Sequence, residues 1–273
     1  MRVFLSVDIE GVAGVVDEHH WKMDGQYYEC ARGLMANEAN AAIEGALEAG
    51  AKEIVVNDSH HKMINLDAAK IHPAAELIIG RIKPMSMCQG MAEGFDAAVF
   101  VGYHGGRGTA RAVLDHTYTG LFHDLKINGR FVNEALINGL VAGHFGFPLV
   151  LVTGDQALAE EMKAWDPAIH ACIVKQSLGR QAIQTMHPTK ACEKIRAATK
   201  AAIEARAKIK PIRLGPPLTL DAELVSTQMA DLLERMVACE RVDGRNVRVK
   251  ADDMLTLFRH FLTMMTMAGT VYN

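Results

Sequence analysis

Three apolar runs in this chain are each followed at once by acids or imidazoles. RVFLSV leads into Asp8-Ile9-Glu10, EIVV into Asn57-Asp58-Ser59-His60-His61, and AAVFVGY into His104-Gly105-Gly106. Mixed carboxylate and imidazole donors suit zinc, manganese or cobalt, whereas an all-oxygen set suits magnesium or calcium. An isolated buried carboxylate is expensive, and a cation removes that expense. Two metals need a bridging ligand, and Asp8, at the end of the first run, is the natural one because a carboxylate can bridge with both oxygens. The chemistry of such a pair would be metal-assisted hydrolysis, with a polarised carbonyl and a nucleophile generated near neutral pH.

Each of these residues also has an ordinary structural use. Asp8 could cap a loop, but strand-end acids at a crevice favour metal binding. Glu10 alone is balanced between ligand and solvated side chain. Asp58 reads better as a turn cap. His60 is preferred to its neighbour His61, though periodicity cannot separate them. His104 is the strongest histidine, since the two glycines after it permit close approach to a ligand. Glu134 falls in the first turn of a helix, where the dipole favours a carboxylate in any case, so spacing alone makes it structural. The segment from Gly105 to His116 is a glycine-rich loop that matches neither a dinucleotide fingerprint nor a P-loop. Its Arg107 and Arg111 could meet a substrate carboxylate, although solvated surface is the commoner fate. His116 could serve as a general base, a nucleophile or an oxyanion partner.

These residues must be positioned by strands and helices. Arg2–Val7 and Ala97–Tyr103 read as strands, with Glu53–Val56 and Glu76–Ile79 as shorter ones. Glu29–Ala49 has helical spacing and ends at Gly50, where a C-terminal cap belongs. Ser86–Gly94 is expected as a short helix, and Asn128-Gly129 as a hairpin turn. Asn133 caps a helix reaching about His144, followed by a strand at Leu149–Thr153, a helix at Leu158–Ala164, a strand at Ala171–Lys175 and a long helix at Pro188–Lys208. This alternation predicts an α/β fold, doubly wound around a mostly parallel sheet. Ligands in such sheets bind beyond the carboxyl ends of the strands, so three successive ends would point their polar residues into one crevice. Three prolines and a glycine within Lys210–Pro217 mark an edge. The expected organisation is a catalytic metal-binding domain over 1–210 and a small α+β C-terminal extension over 211–273, with strands at Leu218–Leu224 and Asn246–Lys250 and a Met-rich helix at Asp252–Gly269.

The bulk composition narrows the possibilities. With 273 residues, 49% hydrophobic and 22% charged, the chain can bury a substantial core. A net charge of −3 offers no basic footprint for nucleic acid or an anionic membrane. No apolar run reaches transmembrane length, and the opening MRVFLSVD does not resemble a secretory signal. Five scattered cysteines without a C-x-x-C pair argue against a disulfide framework or a thiolate zinc site, and a reducing cytoplasm is the expected setting.

Taken together, SVDIEGVAG, VVNDSHHKMINL, IHPAAELIIG, IKPMSM, VGYHG and the DHT–NGRFVNEALIN stretch resemble the DppA-like D-aminopeptidase family. The resemblance runs from residue 1 to about 180 and more weakly to the C-terminus. It implies a dizinc, self-compartmentalising peptidase that releases N-terminal D-amino acids, such as D-Ala, from short peptides. It also implies a homo-oligomer, a decamer of two stacked pentameric rings. By resemblance Asp8 bridges two Zn2+ ions, Glu10 and His60 complete one site, and His104 and Glu134 the other. His116 matches the family's catalytic nucleophile. The resemblance thus makes Glu134 a ligand and selects His60 over His61. Two other readings remain beside it: another two-metal hydrolase on the same scaffold, such as an amidase or an L-specific aminopeptidase, and a non-enzymatic, metal-stabilised peptide-binding protein.

Overall fold

A computed structural model describes residues 1–272. Its main sheet has seven strands: β1 (Arg2–Val7), β2 (Glu53–Asp58), β3 (Ala75–Ile78), β4 (Ala97–Tyr103), β7 (Leu149–Asp155), β8 (His170–Gly179) and β9 (Ala182–Thr185). Their order is β3-β2-β1-β4-β7-β8-β9, parallel except for the edge hairpin β8–β9. Every residue of β4 and β7 is buried, which is why both read as continuous apolar runs rather than as alternation.

The connecting helices are α1 (Glu18–Trp21), α2 (Tyr28–Glu48), α3 (Glu134–His144), α4 (Gln156–Trp165) and α5 (Pro188–Glu204). Helices α2 and α5 pack side by side across the sheet, with α3 against β4 and β7. A Cβ on Gly45 would sit 2.3 Å from the carbonyl oxygen of Arg196, so only glycine lets α2 approach α5 this closely. The expected helix at Ser86–Gly94 is instead two single 3₁₀ turns, at Ser86–Cys88 and Met91–Glu93. Gly90 lies between them at φ +100°, a conformation that cannot continue an α-helix.

The second sheet is antiparallel and five-stranded. It joins β5 (Phe122–Ile127) and β6 (Arg130–Phe131) to β10 (Leu218–Leu224), β11 (Cys239–Arg241) and β12 (Asn246–Ala251) in the order β11-β12-β10-β5-β6. Asn128 and Gly129, both at positive φ, turn β5 into β6. The segment 211–273 therefore supplies three of these strands, with α6 (Thr227–Leu233) and α7 (Met254–Gly269), while the other two come from 122–131. Helix α7 buries Met254, Leu257, Phe258, Phe261 and Met264. Among the described residues no helix is long and apolar enough to cross a membrane.

Candidate active site

The chain runs β1, β2, β3 outward on one side of β1, then returns to place β4 on the other side. This reversal creates a switch point, where the loops after β1 and β4 part and leave a crevice. Asp8 and Glu10 follow β1, His104 follows β4, and His60 follows β2 two residues past its end. Glu134 opens α3, whose N-cap Asn133 accepts a bond from Leu136 N at 2.8 Å. These five side chains belong to residues only 2–4% exposed. The turn after Asp8 crosses the end of β4 so closely that a Cβ on Gly11 would lie 1.8 Å from the Tyr103 carbonyl oxygen.

The cluster closes in two halves around Asp8. On one side, His60 Nδ1 is 3.3 Å from Asp8 Oδ1 and 3.0 Å from Glu10 Oε2. On the other, His104 Nε2 is 3.9 Å from Asp8 Oδ2 and 3.7 Å from Glu134 Oε1. His116 Nε2 completes the second side, 3.4 Å from Glu134 Oε1 and 4.0 Å from Glu10 Oε1. The two oxygens of Asp8 thus face different histidines. Candidate metal-holding sets overlap across the cluster: Asp8, Glu10 and His104, and His104, His116 and Glu134.

All three imidazoles are oriented alike. His60 Nε2 lies 3.1 Å from the Trp21 carbonyl, His104 Nδ1 2.9 Å from the Gly105 carbonyl, and His116 Nδ1 2.8 Å from the Leu114 carbonyl. A carbonyl only accepts, so each of these nitrogens carries a proton and the other ring nitrogen is turned toward carboxylate oxygens. A neutral ring would set a lone pair against those oxygens, so the contact calls for positive charge there, from a proton on the ring or from a cation between the groups. Against its burial, Glu10 and Asp8 push His60 toward the protonated form, well above the usual histidine range. Rings anchored to a carbonyl in this way match how metal-ligating histidines are held by outer partners. Among the described residues, His104 Nε2 and Glu10 Oε2 are buried without a hydrogen-bond partner, the latter despite its 3.0 Å distance from His60.

Electrostatics show the same strain. Burial, then Glu10, then Glu134 push the Asp8 carboxyl well above the usual range, although His60 opposes this. Burial and Glu10 raise Glu134 to about 8. Burial and His116 lower His104 to about 4. Burial would also raise Glu10, but the positive field of His60 prevails and holds it low. Three acids in one dry crevice cannot all be ionised without added positive charge.

His116 differs from the rest. Its side chain is 23% exposed, and its ring stacks on His104 with centroids 4.4 Å apart. It hangs on a loop in which Leu114 and Tyr118 are at φ 48° and 63°, left-handed conformations that cost energy in non-glycine residues and concentrate at functional sites. The Tyr118 amide donates to Glu134 Oε1 at 2.6 Å, and its hydroxyl donates to Asn138. The Tyr118 ring sits edge-on to Phe261 of α7, with centroids 5.0 Å apart. The second sheet and its helix therefore support the loop that presents His116.

All six residues singled out in the sequence, Asp8, Glu10, His60, His104, His116 and Glu134, meet in this cluster. His61 is exposed and makes no ion pair with these acids. Asp58 caps a turn, accepting from Asn65 N at 2.5 Å and Leu66 N at 2.8 Å. Sequence reasoning passed over Tyr118, Asn138 and the buried lysines Lys83 and Lys175. A lysine closing the apolar run ACIVK was the one available signal, and there it reads as a strand end.

An α/β protein with a buried carboxylate–imidazole cluster at its switch point has the form of a metal-assisted hydrolase. The chain belongs to the D-aminopeptidase family, peptidase family M55, whose model matches residues 1–263. It is 34% identical over 269 residues to a D-aminopeptidase of Bacillus subtilis (strain 168), covering 98% of each chain. Its fold is similar to the solved structure of the Zn-dependent D-aminopeptidase DppA from Bacillus subtilis, described as a self-compartmentalizing protease. The TM-score is 0.97, with 33% identity and 100% of both chains covered.

Proposed function

We propose that this chain is a dizinc aminopeptidase that releases N-terminal amino acids, D-amino acids such as D-Ala, from short peptides. The observation that carries the reading is the shared orientation of three buried or half-buried imidazoles, each anchored to a carbonyl through one ring nitrogen and each turning the other toward buried acids. Asp8, Glu10, His60, His104 and Glu134 would hold the ions, with Asp8, whose two oxygens face different histidines, placed to be shared between them. When bound, zinc supplies Lewis acidity toward a carbonyl oxygen and activates water near neutral pH.

The remaining work falls to the chain's own residues. The Leu114 carbonyl keeps the His116 proton on Nδ1 and leaves Nε2 free at the open side of the crevice. From there His116 Nε2 can take a proton from water and return it to the departing amine as the C–N bond breaks. If Nε2 instead attacks the carbonyl carbon, the bond to the amine breaks as the N–C bond forms, water supplies the amine's proton, and a second water then cleaves the acyl group from the ring. Glu134 Oε1, 3.4 Å away, stabilises the imidazolium that forms. Tyr118 N holds that oxygen in place.

The reading extends to assembly. A relative described as self-compartmentalizing, at 33% identity over the whole chain, supports a homo-oligomer, and we propose the decamer of two pentameric rings. A restricted channel in such a particle would admit short peptides and exclude folded proteins. Paired D- and L-aminoacyl p-nitroanilides, with a phosphomonoester as control and a chelator arm, test the activity. Chelator-sensitive release from D-substrates is expected, and turnover of the phosphomonoester alone would overturn it. Light scattering that gives a monomer at micromolar concentration would refute the assembly.

A further inference from the structure

Lys175, on β8, is 2% exposed, yet it is not part of the acid–imidazole cluster. Its ammonium has three N–H donors, and all three end on backbone carbonyls of one turn: Glu10 at 2.5 Å, Val12 at 2.9 Å and Val15 at 2.7 Å. Taking an ammonium out of water is costly, and an apolar side chain would fill the same strand position more cheaply. A turn that points three carbonyls inward, however, needs a buried donor able to serve all three. Only lysine carries three donors on one compact charge at the end of a slender stem.

The same turn is held elsewhere by weaker anchors. Glu38 accepts from Ala13 N at 2.8 Å, Thr185 from Gly14 N at 3.0 Å, and the Gly102 carbonyl from Gly11 N at 2.7 Å. Lys175 takes the carbonyl of the Glu10–Gly11 peptide, whose N–H goes to the Gly102 carbonyl. We infer that Lys175 is a positioning residue, which fixes the Glu10 peptide so that the Glu10 carboxylate faces His60 and can complete one half of the metal centre. This rests on the two-metal reading above.

Charge and geometry make opposite forecasts here, which gives the inference a sharp test. A cation beside a divalent-ion site repels the ion, so if Lys175 acted through its field alone, Lys175→Met would tighten binding. If it acts by placing Glu10, the same change loosens one ion and spares the other. The experiment is zinc release from the intact protein to a chromogenic chelator, with stoichiometry from elemental analysis and folding followed by thermal melting. Wild type should hold two ions per chain; fewer would remove the two-metal reading itself, whatever the variant does. In Lys175→Met one class of ion should weaken on the order of 10- to 100-fold, the range for lost outer-shell partners, with the second class unchanged. In a Glu10→Ala background, where that half is already disabled, Lys175→Met should leave the remaining ion's affinity as it was. Lys175→Arg keeps the charge but cannot converge three donors on the same carbonyls, and it should show the same split with smaller size. It serves if the Met variant does not fold. Unchanged or tighter binding in the variants, or equal loss of both ions together with a lowered Tm, would overturn the inference.

Discussion

The site is assembled from two regions built on different principles. Asp8, Glu10, His60 and His104 stand just beyond the ends of three adjacent parallel strands, and their positions follow from strand register: Val7 pairs with Asp58 and with Val101. His116 stands on a loop with no strand of its own, held by positive-φ residues and by an aromatic contact from the far end of the chain. The first region is dry and rigid, whereas the second reaches solvent. Such a division suits a hydrolase, because ligands must not move while a group that exchanges protons with substrate must be reachable.

The largest effect should come from the rigid region. Asp8→Ala removes the group whose two oxygens face both histidines, and it should abolish activity and lose both ions. Full zinc occupancy in that variant, measured by elemental analysis, would break the distinction between the halves. His116→Ala probes the other region. It should keep its metals and its oligomeric state while kcat falls on the order of 10²-fold or more, as for a lost acid–base group. Near wild-type turnover would reduce the loop to scaffolding, and a trapped acyl-enzyme would favour direct attack by the imidazole over proton transfer.

Two smaller predictions sharpen the contrast through the anchors of each region. Burial raises the Glu38 carboxyl to about 7, against the opposing Ala13 bond and Lys175 charge, from an ordinary 4.5. The folded protein keeps this proton where the unfolded chain has released it. Its contribution to stability is therefore full at low pH and is lost as pH rises from near 4.5 through about 7. The loss is on the order of 3 kcal/mol, and denaturant unfolding of Glu38→Gln against pH should show a flatter profile than wild type. Tyr118→Phe deletes the hydroxyl bonded to Asn138 but keeps the ring on Phe261 and the amide on Glu134. It should cost about 1 kcal/mol in stability and leave zinc content intact. A large loss of metal would show that the loop and the strand ends are one unit.

Much of the strand-end region could be read without a structure. A polar residue after a run such as AAVFVGY is conspicuous, because a doubly covered parallel strand tolerates polarity only at its ends. Strands β1, β4 and β10 have the bounds that their sequence patterns predict. The short α6 and the edge strands β9 and β11 were not anticipated, since brief, half-exposed segments carry little periodicity. The helix read at Ser86–Gly94 failed for a local reason, the left-handed Gly90 in its middle.

The sequence by itself determined the strand-end acids and histidines, the capped start of α3, the α/β class and, through its motifs, the family. Local pattern suffices for these because side-chain burial and backbone period are properties of contiguous residues. Spacing left Glu134 a structural residue and only the family motif made it a ligand; the tertiary structure brings it, 124 to 126 residues beyond the first two acids, into their crevice. It also decided that β5 and β6 pair with strands from the end of the chain, and that Lys175 grips a turn 160 to 165 residues earlier. These are contacts between distant segments, and their energies come from desolvation and hydrogen-bond convergence that exist only after the sheet has brought the partners together.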